Sequence, residues 1–146
     1  MIKIFLCLAL SLGINLTEND SNNINSAQGL LFENTTIDAG ENLSNDNDAG
    51  VKFEFSYINK SKKSIYITDV KRSCGCTTVK YNEKEIKKGE KGVVEVIYNY
   101  IHKNGSGEIT GRVIGPFQKI ITLPTVNTSE SKEEIVLTIK GVVKAY

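Results

Sequence analysis

The segment Val51-Lys-Phe-Glu-Phe-Ser-Tyr57 alternates without a fault. Val51, Phe53, Phe55 and Tyr57 fall on one face, and Lys52, Glu54 and Ser56 on the other. That period of two suits a half-buried β-strand and is incompatible with an amphipathic helix. The same signal recurs down the chain. Ser64 to Val70 reads as a strand with Ile65 and Ile67 inward, and Thr78 to Tyr81 as a short one. Val93 to Tyr100 follows the turn Lys88-Gly-Glu-Lys-Gly92. Asn104-Gly-Ser-Gly107 is a hairpin signal leading into Glu108 to Ile114. Gly115-Pro116 is expected to break that strand, with Phe117 to Leu123 forming the next. Ile135, Leu137, Ile139 and Val143 alternate along the last strand, and Leu30 to Ile37 fits one strand or two. Helical periodicity is absent after the N-terminus. Roughly seven to eight short strands separated by turn residues predict an all-β, two-sheet sandwich, with a closed barrel as the alternative.

The N-terminus stands apart from this pattern. Met1-Ile2-Lys3 is a short positive start, and Ile4 to Leu12 is apolar apart from Ser11. An apolar run of this kind reads as a secretory signal, and it is too short for a comfortable transmembrane helix. Residues 1–16 are assigned to the signal, 17–29 to a polar linker and 30–146 to the folded domain. Too little apolar sequence precedes Cys7 for a lipid-attachment cysteine, so the mature chain is expected to carry Cys74 and Cys76 alone.

Composition narrows the chemistry. The net charge of +1, from 18 basic and 17 acidic residues, argues against nucleic-acid binding. A single histidine, His102, leaves few routes to general acid–base catalysis, and a lone loop histidine is more often solvated than a metal ligand. No cofactor or metal is expected. Asn-x-Ser/Thr acceptors at Asn15, Asn34, Asn42, Asn59, Asn104 and Asn127 read as chance matches in a chain rich in Asn and Ser. The Lys60, Lys62 and Lys63 cluster and the charged stretch 128–134 read as solvated turns.

One segment could carry chemistry: Ser73-Cys74-Gly75-Cys76-Thr77. In a flat strand, residues two apart share a face near the outer limit of Cα separation for a disulfide. Gly75 is expected to let the chain bend and close the bridge. Three readings are open. The pair is a local structural disulfide in an oxidising compartment. It is a redox dithiol, with Lys71 and Arg72 lowering the thiol pKa values. Or it supplies two soft ligands to Cu(I). No thioredoxin-like strand–helix context surrounds it.

These residues resemble the bacterial extracytoplasmic family known as domain of unknown function 1573, common in Bacteroidetes. The resemblance runs through Phe55-Ser-Tyr-Ile-Asn59, Ile65 to Val70, Ser73 to Thr77, Lys88-Gly-Glu-Lys-Gly92, Val93 to Tyr98 and Gly115-Pro-Phe-Gln-Lys-Ile-Ile121. It covers roughly residues 30–143. Two features depart from the family: Lys88 stands where it usually has Pro, and residues 101–114 form an extra hairpin or lengthened loop. The family's usual lipoprotein cysteine is not recognisable, which leaves membrane anchoring open. The resemblance implies an immunoglobulin-like sandwich, similar to domains of major sperm protein and ciliary-scaffold type, and carries no established activity. The expected role is a non-enzymatic binding or scaffolding module in the periplasm, at the cell surface or secreted. Its partners are envelope proteins met through strand edges or loops, and a thiol-based role of Cys74 and Cys76 is the alternative.

Overall fold

The computed structural model describes residues 29–41, 43–44 and 50–145. The expected signal and linker lie outside the described residues, apart from Gly29. No helix occurs among the described residues. The strands are β1 (Leu30–Phe32), β2 (Thr36–Asp38), β3 (Leu43–Ser44), β4 (Val51–Asn59), β5 (Ile65–Ile67), β6 (Lys71–Arg72), β7 (Thr77–Lys80), β8 (Lys91–Tyr98), β9 (Ile101–Lys103), β10 (Ile109–Arg112), β11 (Gly115–Asn127) and β12 (Lys132–Lys144).

One sheet runs β1-β4-β8-β7; the other runs β2-β12-β11-β5, with β3 also on β12 and β6 also on β11. Strands β9 and β10 form a separate hairpin, as the Asn104-Gly105 turn predicts. The inward faces of the two sheets make one core. Phe55, Val94, Val96 and Tyr98 come from the first, Ile121, Leu123, Leu137 and Ile139 from the second, and Ile86 plugs the side between them. The alternation of β4 is as expected: Phe53, Phe55 and Tyr57 are buried, while Lys52 and Glu54 are exposed.

One open boundary is decided and two differ from expectation, each for a tertiary reason. Leu30 to Ile37 is two strands because the chain changes sheets: β1 pairs antiparallel with β4, whereas β2 pairs parallel with β12. Gly115-Pro116 does not interrupt a strand; it opens β11, after a break at residues 113–114. Pro116 lies opposite Val142, whose N–H goes instead to the Gly40 carbonyl. Alternation in an antiparallel ladder therefore points the Pro116 nitrogen away from β12, where no bond is lost. Pro124, eight positions on, has the same parity. It accepts the Thr68 N–H at 2.8 Å but has no N–H to return. The expected strand Ser64–Val70 is accordingly split at that point into β5 and β6.

Asn59 ends β4 and is fully buried. Its Nδ2 donates to the carbonyls of Lys63 and Ile86, both at 2.9 Å. Its Oδ1 accepts from the Ser61 N–H at 2.9 Å and the Ser61 hydroxyl at 2.7 Å. Ile86 in turn exchanges both main-chain hydrogen bonds with Ile65 of β5. One amide thus closes the β4–β5 turn and ties the first sheet to the second. Asn59→Ala would remove four hydrogen bonds at a fully buried position, leaving the Ile86 and Lys63 carbonyls one partner each, and is expected to cost about 3 kcal/mol, read as a lower urea midpoint; a loss under about 1 kcal/mol would show that the turn closes without it.

Edge strand β7 is held to β8 partly by charge. Glu54 and Glu95 face each other across β4 and β8, flanked by Lys52 and Lys80. The Lys80 ammonium, with Lys52 behind it, keeps the Glu95 carboxyl below its usual value of 4.5. A depressed folded pKa adds stability above the unfolded value, and that stability is lost as pH falls through the folded one. Glu95→Gln is therefore expected to flatten the stability profile below pH 4.5 and leave its shape near neutrality unchanged, as measured by urea melts across pH.

Candidate functional site

The chain leaves the second sheet at β6 and joins the first at β7, and Ser73-Cys74-Gly75-Cys76 makes that crossing. Ser73 anchors its start. Its N–H donates to the Ile120 carbonyl, and its hydroxyl accepts the Ile120 N–H, both at 3.0 Å. Cys76 anchors its end by accepting the Asn99 N–H at 2.8 Å, and its side chain packs on the core. Thr77 is buried, and its hydroxyl donates to the Cys74 carbonyl at 3.3 Å. The sulfur atoms of Cys74 and Cys76 lie at bonding distance, across a Cα separation of 5.2 Å. Two residues of flat strand would span about 6.6 Å, so the bridged pair is a bend.

Gly75 does not make that bend by a left-handed conformation. Its φ is outside that region, and a Cβ added there meets nothing within 4 Å. The expected conformational reason for glycine is corrected: this position is simply open to solvent. The two nearby cations are engaged elsewhere. Lys71 pairs with Glu134 at 3.0 Å, and the Arg72 guanidinium donates to the Thr77 carbonyl at 2.7 Å. Arg72 acts as a clamp across the crossing, closing the turn from its main-chain side, rather than as a thiol activator. His102 is exposed on β9. Among the described residues no three His, Cys, Asp or Glu side chains gather as a metal site.

The fold also brings together groups that sequence reasoning missed. Ladder parity turns the main-chain N–H and C=O of Val79 away from β8, toward an edge without a neighbouring strand. Parity likewise turns those of Gln118 away from β12, on the stretch of β11 that β6 does not reach. Beside Gln118, the ring of Phe117 lies 4.4 Å from that of Tyr98, and the Lys119 ammonium sits 5.4 Å from the centre of the Tyr98 ring. The alternation of β11 signals which residues point inward; the neighbour they meet follows only from the sheet pairing.

This arrangement is an immunoglobulin-like two-sheet sandwich. It is similar to a PapD-like domain of human CEP192, with a TM-score of 0.59, 6% identity and coverage of 81% of this chain and 87% of that one. It is similar to the YadV chaperone, with a TM-score of 0.55, 8% identity and coverage of 79% and 52%. The VesB protease of Vibrio cholerae matches with a TM-score of 0.56, 16% identity and coverage of 79% and 32%. The chain thus spans about a third of the protease chain and half of the chaperone chain, and at these identities the likeness is one of fold. No curated protein matches the sequence. The chain belongs to the family described as Protein of unknown function (DUF1573), which matches residues 30–143.

A bridge closing so small a ring removes little chain entropy. Replacing both cysteines by serine is expected to cost no more than about 2 kcal/mol. Urea unfolding of the double variant checks this, and a loss above about 4 kcal/mol would show that the bridge supports the whole sandwich.

Proposed function

We propose that this protein is a non-enzymatic binding or scaffolding module that works outside the cytoplasm and holds an envelope protein through strand edges. One observation carries the reading. The hydroxyls of Ser73 and Thr77 are hydrogen-bonded within the fold and the two cysteines are bridged to each other, while main-chain groups at Val79 and Gln118 are left facing open edges. Exposed edges are surfaces that a partner's extended segment can join. The bridged cysteines and the apolar N-terminal run both support a location in an oxidising compartment. The chaperone-type likeness of the fold agrees with binding and supplies no partner.

A thiol role is the second reading, favoured by the exposure of Gly75 between the two cysteines. It predicts that a weak reductant frees both thiols of the folded protein, whereas a structural bridge resists until unfolding. The binding reading predicts that a photo-crosslinking residue at Val79 or Gln118 captures the same envelope protein in repeated preparations. It also predicts that capture from a photo-crosslinking residue at Thr78 fades when Val79 is replaced by proline, which removes the outward-facing N–H; repeated absence of adducts at both edges would count against binding.

A further inference from the structure

We infer that the β11 edge at Pro116–Gln118 docks an extended peptide strand carrying a carboxylate, with Lys119 and the phenol of Tyr98 as its anchor. This rests on the edge-binding reading above and gives one edge its register and its ligand chemistry.

The register follows from parity. Along the side of β11 that faces away from β12, Pro116 offers a carbonyl and no N–H, and Gln118 offers both. Ile120, the next residue of that parity, is already taken by Ser73 in both directions. Three main-chain groups therefore remain. A guest running antiparallel to β11 would lie in the line of β6, which the chain abandons at Ser73 to make its crossing. So short a ladder gives little selectivity by main-chain pairing, and the side chains beside it must supply the rest.

Those side chains favour a carboxylate. Phe117 and Lys119 flank Gln118 and face inward, and both touch the Tyr98 ring. Tyr98 is 1% exposed, and its hydroxyl is the one buried side-chain polar atom without a hydrogen-bond partner among the described residues. Burial raises its pKa, so it remains an O–H donor. Lys119 has no acidic partner among the described residues. A cation without an anion thus covers the ring of a donor without an acceptor; a carboxylate that draws the ammonium off the ring would open the way to the phenol and meet both. A neutral amide would accept from the phenol and leave the charge unmatched.

The test uses the isotope-labelled protein and two synthetic probes, acetyl-Thr-Val-Asp-Val-Thr-amide and its Asn counterpart, followed by amide chemical shifts. The Asp peptide is expected to shift the Gln118 amide and to bind at least about ten-fold more tightly than the Asn peptide. Lys119→Gln and Tyr98→Phe should each bring the Asp peptide down to the Asn level. Tyr98→Phe removes no made hydrogen bond, and Lys119→Gln removes only the ammonium's contact with the Tyr98 ring; melting temperatures measured alongside separate lost binding from lost folding. Equal binding of the two peptides, or Asp-peptide binding untouched by both substitutions, overturns the carboxylate anchor. Shifts confined to the Val79 edge overturn this site and leave edge binding standing; shifts at neither edge overturn both.

Discussion

The sandwich depends on the buried amide of Asn59. A two-sheet fold must carry its chain between layers without leaving main-chain polar groups dry, and loops that do so are ordinarily kept at the surface. Here a crossing begins in the interior. Asn59 has two donors and an acceptor oxygen, and all are used: Lys63 and Ile86 on one side, Ser61 twice on the other. Because Ile86 is laddered to Ile65, the amide sets where β5 starts. The start of β5 sets the alignment of Thr68 with Pro124, and thence of β6 and the cysteine crossing. The order of dependence runs from one side chain to the motif that looks functional.

That motif is better understood as a junction than as a reactive loop. Every residue of it except Gly75 has a task in the turn from one sheet to the other. Ser73 ends the ladder to β11, Cys76 and Thr77 begin the ladder to β8, and Arg72 closes the turn across its base. The cysteines fix the shape of a bend whose ends are already secured. The fold's open chemistry lies beside the junction: where β6 departs, β11 is left with an edge.

Legibility followed how local each cause is. The alternation of Val51 to Tyr57 and the Asn104-Gly105 turn are local, and both are present as expected. The break expected at Gly115-Pro116 is absent because a proline's effect in a strand depends on which side carries the partner, and that is a property of the sheet. Asn59 looks like an ordinary turn residue, since its value comes from Ile86, far along the chain. Gly75 was credited with a backbone freedom that it does not use. Tyr98 and Lys119 each read as routine members of a strand. Their meeting required β8 and β11 to face one another across the core.

Pro116 and Pro124 are eight residues apart, an even spacing that puts both missing amides on the same side of β11. Slipping β11 by one residue against β12 would turn both toward the partner and cost two hydrogen bonds at once, so the prolines lock the alignment of the longest pairing in the molecule. They also govern how the strand behaves among many copies. A repeating stack of chains needs an unbroken row of donors on both sides of each strand. This one interrupts that row twice, so its edge can receive a short guest and cannot template an endless sheet of itself.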